Sequence, residues 1–248
     1  MGNTAAWRPK LTRKGWDFLL KREQTFALVN RIFVSAIVAL HLGFAFTYLL
    51  RDGDSYLFQK SLLGLPLLLL PTLVFRLFRL KTCHQLNFWA YLFIFLAHTI
   101  GITITHYNIP YYDKAMHTLS GVFVAFLALC CFYFFKPGRA IDRKDGPLCC
   151  LFVFAVSMAV AGLWEIGEYT VSCIDGSDPQ LVLSTGVGDT MQDMIVCMVG
   201  TLLFVGVLAH WYLRRDNRRS GPLMGAFDTF YQYNLAPRRA AGQGGEKE

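Results

Sequence analysis

The chain has 248 residues, 54% of them hydrophobic and 17% charged, with a mean hydropathy of +0.37 and a formal net charge of +7. Apolar runs of about twenty residues separated by short polar loops exclude a water-soluble globule and indicate a polytopic membrane protein. The basic excess flanks those runs, so it points to anionic membrane lipids as partners and argues against nucleic acid.

Taken in order, residues 1–30 mix Trp7, Trp16, Phe18 and Leu19 with Arg8, Lys10, Arg13, Lys14, Lys21 and Arg22, which suits an amphipathic segment on the cytoplasmic surface. Six apolar runs follow: roughly Ile32 to Leu50, Leu57 to Phe78, Leu86 to Thr105, Met116 to Phe135, Leu148 to Thr170 and Asp193 to Leu213. They predict an all-α transmembrane helical bundle of about six spans over residues 31–213. His41 lies near the middle of the first span, either as a packing hydrogen-bonder or as a functional group. Pro66 and Pro71 should bend the second span.

The first three spans contain no Asp or Glu. The loop Lys136 to Gly146 reads as an ordinary turn, whereas Ser172 to Gly188 is long, small and polar enough to cover a site between helices. Residues 214–248 form a basic tail, in which Arg214 to Arg219 is a stop-transfer signal and Ala240 to Glu248 reads as disordered. Seven cysteines, mostly in or beside spans, give no readable disulfide framework and suit small packing residues.

Of the 24 Lys and Arg residues, only Arg51, Lys60 and Lys114 fall on the side opposite the tails. Under the positive-inside rule both termini are cytoplasmic. The opposite, outer side carries three acidic words: Asp113-Lys114-Ala115-Met116-His117, Trp164-Glu165-Ile166-Gly167-Glu168 and Asp189-Thr190-Met191-Gln192-Asp193. Each sets two ligand-type residues three or four positions apart, on one helical face.

Counting upward from the basic ends at ~1.5 Å per residue puts His117, Glu165, Glu168 and Asp193 within ~26–30 Å, with Asp113 and Asp189 slightly higher and His106 at ~30 Å. Carboxylates crowded into one layer at low dielectric repel, and protons or cations must compensate. Five carboxylates against Lys114 leave four negative charges, which two divalent ions would neutralise.

Asp113 and Asp189 also suit helix N-caps. Glu165 and Glu168 close their helix, where the dipole disfavours anions, so capping does not explain them. The candidate metal ligands are Asp113, His117, Glu165, Glu168, Asp189 and Asp193. The candidate catalytic groups are Glu165, Glu168, His117, Lys114 and Ser120, the last as a nucleophile or a hydrogen-bonding helper. A mostly oxygen donor set suits Mg²⁺, Mn²⁺ or iron better than zinc.

These residues are similar to the pattern of the uncharacterised bacterial inner-membrane YjdF family: Asp-Lys-x-x-His opening one helix, Trp-Glu-x-x-Glu closing the next and Asp-Thr-x-x-Asp opening the last. The Asp-Lys-x-x-His word also resembles VanZ-like membrane proteins. The resemblance implies a multi-span protein of the bacterial inner membrane and leaves its reaction open. Three readings follow. The first is a metal-dependent hydrolase or transferase acting on a lipid or lipid-linked substrate at the outer face. The second is a cation or proton transporter, which would need a polar path that the fourth to sixth spans scarcely offer below Ser120. The third is a metal-stabilised accessory or scaffold protein of the envelope.

Overall fold

The computed structural model describes residues 13–213 and 222–236. The start of the amphipathic segment, the Arg214 to Arg219 run and the stretch Ala240 to Glu248 lie outside the described residues. The described chain is all-helical, with no strand, and six of its helical stretches are long and apolar enough to cross a membrane.

α1 (Arg13–Leu50) carries the basic stretch and the first span as one helix of 38 residues. At ~1.5 Å per residue this is ~57 Å, well beyond a ~30 Å hydrocarbon core. The second span is broken where the prolines predict. α2 (Ser55–Leu67) contains Pro66 and α3 (Leu70–Leu77) has Pro71 in its first turn. Pro71 has no N–H to donate, and the tighter bonds Leu68 N to Leu65 O and Leu69 N to Pro66 O carry the chain around the break.

α4 (His84–Ile94) widens into a π-helix over Phe95–Ile104. Its N-terminus is capped from another helix: Glu23 of α1 is 4% exposed and accepts from the amides of His84 (2.5 Å) and Gln85 (3.2 Å). The carboxylate thus satisfies two amides that the helix leaves without partners.

α5 (Tyr112–Phe135), α6 (Gly146–Asp175) and α8 (Gly188–Leu213) pack on one another, with the short α7 (Val182–Thr185) between the last two. α5 and α8 touch backbone to backbone. A Cβ on Gly121 would collide with the Cys197 carbonyl oxygen, and one on Gly200 with that of Thr118. Such close approach needs glycine on both helices. It aligns the buried α8 stripe Asp189, Asp193, Cys197, Gly200 and Thr201 with α5.

The basic ends of these helices enclose an aromatic core around Phe126, Tyr133, Phe204 and Leu208. α9 (Pro222–Phe230), with a π-helical extension Tyr231–Leu235, docks there through Phe227 and Tyr231. This stretch falls in the basic tail of the sequence reading, yet its apolar residues are in the core.

Candidate functional site

At the acidic end, α5 and α8 both begin, so their first-turn aspartates lie where the helix dipoles favour negative charge. Neither Asp113 nor Asp189 is itself an N-cap. Tyr111 stands in that position for α5, and the Thr185 hydroxyl accepts from the Asp189 amide (3.3 Å).

Lys114 reaches across the α5–α8 contact. Its Nζ donates to Asp113 Oδ2 (3.0 Å) and Asp189 Oδ1 (2.5 Å), and lies 2.8 Å from Asp193 Oδ1. A cation at a helix N-terminus is unfavourable alone, and three surrounding carboxylates reverse that balance.

One turn inward, His117 Nε2 lies 3.6 Å from Asp113 Oδ1 and 3.8 Å from Asp193 Oδ1. Ligand atoms of Asp113, His117 and Asp193 all fall within 4.8 Å of one another. Among the described residues no other trio of His, Cys, Asp or Glu is so placed. Asp193 is 2% exposed, and its Oδ1 is buried without a well-directed hydrogen bond. Such an atom suits an added cation or proton donor.

Five sequence candidates therefore meet: Asp113, Lys114, His117, Asp189 and Asp193. Glu165 and Glu168 lie outside the Asp–His–Asp trio, on α6. Glu165 is 7% exposed and receives Gln180 Nε2 of the loop between α6 and α8 at both its carbonyl (3.0 Å) and Oε2 (3.2 Å). Glu168 accepts from Trp164 Nε1 at 2.9 Å and lies within electrostatic reach of Glu165, Asp113 and Asp193. Ser120 donates to the His117 carbonyl at 2.7 Å. His106 turns away to Tyr48 of α1 (3.2 Å).

Two neighbours were missed in the sequence. Gln180 ties the loop down over Glu165. Tyr107, whose phenol is pushed above its usual range by burial and then by the charges of Asp113, Tyr112 and Glu168, donates to the Ala97 carbonyl at 3.0 Å. No spacing signal marks either, because both sit in irregular segments.

The first three spans hold a second set of buried polar groups. His41 is fully buried, with Nδ1 2.7 Å from the Ser61 carbonyl and Nε2 3.0 Å from Thr99 Oγ1. Since a carbonyl only accepts, Nδ1 carries a hydrogen and donates it to Ser61. His98 packs against His41 with ring centroids 5.3 Å apart, and Tyr48 donates to the Thr103 carbonyl at 2.6 Å.

Residues 31–215 match the family described as "Predicted membrane protein (DUF2238)". The chain belongs to this family. It is an integral membrane protein, and the matched segment contains all six spans in part or whole, together with the acidic layer. No curated protein and no solved structure matches the chain.

Proposed function

We propose that the acidic layer is a divalent-cation site of a membrane hydrolase or transferase acting on a lipid or lipid-linked substrate. The observation that carries this reading is the convergence of Asp113, His117 and Asp193, whose ligand atoms lie within 4.8 Å of one another around an almost fully buried Asp193 carboxylate. Three aspartates around one ammonium leave two negative charges, which a single divalent ion balances. In this reading the sequence expectation of two ions reduces to one at the core of the cluster.

The ion, when bound, lowers the pKa of water or polarises a phosphoryl or acyl oxygen. Asp113, His117 and Asp193 hold it, and Asp189 keeps Lys114 directed at developing negative charge. Glu168 serves as general base from α6, and Glu165 anchors the loop above. Ser120, bonded to the His117 carbonyl, supports the ligand-bearing turn. Lipid access is supported by the outward face of α6, where Trp164, Ile166 and Tyr169 are exposed beside the site. The three acidic words shared with the YjdF pattern, of which Asp-Lys-x-x-His is also VanZ-like, belong to the same reading, as does an inner-membrane location with the acidic layer facing outward.

The test is metal analysis and melting of purified protein in detergent. Mn²⁺ or Mg²⁺ at 100 times its Kd should add about 2.7 kcal/mol of stability. Asp193→Asn should remove the bound metal and the shift. Equal melting with metal and with excess chelator would overturn the assignment.

A transport reading is favoured by one observation, the polar seam of α1 and α4. Glu23, Asn30, His41 and Tyr48 of α1 are buried along one side, facing Gln85, Asn87, His98, Thr99 and Thr103. Ile37 and Leu68 interrupt the seam with an apolar plug. Proton flux into liposomes that His41→Leu abolishes would decide for this reading, and no flux above protein-free vesicles would end it.

A further inference from the structure

A cavity of about 570 Å³ opens at the basic end of the bundle, away from the acidic layer, between the turn after α3, the turn after α5 and the segment after α9. Three of its lining residues are cations, Arg79, Lys81 and Arg139, and no acidic residue lines it among the described residues. None of the three has an ion-pair partner among the described residues. Unbalanced positive charge around a concave space attracts an anion.

The backbone holds these cations in place. Arg79 (φ 53°) and Arg139 (φ 48°) both adopt the left-handed conformation that side chains disfavour. Asn234 fixes the rest: its Oδ1 accepts from the Lys81 amide at 2.6 Å, its Nδ2 donates to the Lys81 carbonyl at 3.1 Å, and its own carbonyl accepts from Arg139 at 3.3 Å. The Arg139 guanidinium also lies 5.2 Å from the Phe134 ring centroid. Lys81 and Arg139 are thereby presented from a scaffold tied together by α9.

Arg79 and Lys81 follow the second span and Arg139 follows the fourth, which places the cavity at the level where a bilayer's head groups begin. Its rim is apolar: Phe78 lines it at 48% exposure, beside Leu77 at 72% and Phe135 at 69%. Guanidinium forks suit phosphate oxygens, and an exposed apolar lip suits acyl chains. We propose that this cavity binds the phosphate head group of an anionic glycerophospholipid, with the acyl chains lying along the exposed ends of the second and fourth spans. Basic pockets between spans take such head groups.

Binding would be measured on the full chain in neutral detergent, by native mass spectrometry with phosphatidylglycerol or phosphatidylcholine. The wild type should bind phosphatidylglycerol at least tenfold more tightly. The double variant Arg79→Gln/Lys81→Gln should lose that preference, while the charge-matched Arg51→Gln/Lys60→Gln, at the other end of the bundle, should keep it. Melting curves of both variants separate lost binding from lost folding, and a folded Arg79→Gln single variant with weakened binding serves if the double variant unfolds. Glycerol phosphate in millimolar excess should leave the lipid bound; complete displacement would assign the cavity to a soluble phosphate and overturn the lipid proposal. Equal affinity for the two lipids, or undiminished binding in a folded Arg79→Gln/Lys81→Gln variant, would overturn it as well.

Discussion

Lys114 has two relations to the acidic layer that pull in opposite directions. It pairs with Asp113, Asp189 and Asp193, offsetting one of their three charges, and by doing so it competes with any cation they could hold. Lys114→Met should therefore destabilise the apo protein by about 1–3 kcal/mol, between the ~0–1 kcal/mol of an exposed pair and the ~3–5 kcal/mol for breaking a buried one, because Asp113 is partly exposed. The same variant should gain more stability from Mn²⁺ than the wild type does. Thermal unfolding with and without metal reads both, and a Lys114→Met protein indifferent to divalent ions would count against a cation site. At Glu165 the expectation is different: Glu165→Gln keeps an acceptor for Gln180, so it should preserve the closed loop, while Gln180→Ala should raise hydrogen exchange across residues 176–187.

At the scale of the helix, the register of α5 on α8 decides which side chains meet. Gly121→Leu would drive a side chain into the α8 backbone, with a penalty of at least 1–3 kcal/mol typical of overpacking. It should also abolish the Mn²⁺ shift although it lies about two turns from Lys114, whereas Gly162→Leu on α6, which meets open space, should do neither. Melting of the two variants makes the comparison.

Hydropathy was enough to read the six spans, and counting residues was enough to set His117 and Asp193 within one turn of each other, with Asp113 slightly higher. Rotation about each helix axis was not readable, because it depends on the Gly121 and Gly200 contacts, and glycines are common in membrane helices for other reasons. Hence Glu165 and Glu168, counted to the same depth, lie outside the Asp–His–Asp trio. The π-helix at Phe95–Ile104 was hidden because its composition is that of any apolar span. α9 was hidden in turn by the basic residues on either side of it.

For the whole molecule, orientation is an expectation from charge. In a background lacking the exposed Cys131 and Cys173, Ser177→Cys should react with an impermeant thiol reagent in intact cells, and Ser220→Cys only after permeabilisation. The reverse pattern would move the acidic layer to the cytoplasmic face.

The helices form two groups, α1, α2 and α4 against α5, α6 and α8. Phe93 stacks on Phe123 between them at 5.3 Å, and α9 spans the basic end. On one side Arg22 donates to Thr229 (2.6 Å), which donates to Gln85 (3.3 Å); on the other Tyr231 donates to the Arg139 carbonyl (2.7 Å) and Phe227 packs on Tyr133.

That placement sets an order in time. α9 follows all six spans in the chain, so the two groups can be inserted, and each can pack, before anything latches them at this end. A chain truncated before Pro222 should accordingly insert its spans yet open more readily between the two groups at this end, which limited proteolysis of the truncated and full chains would read.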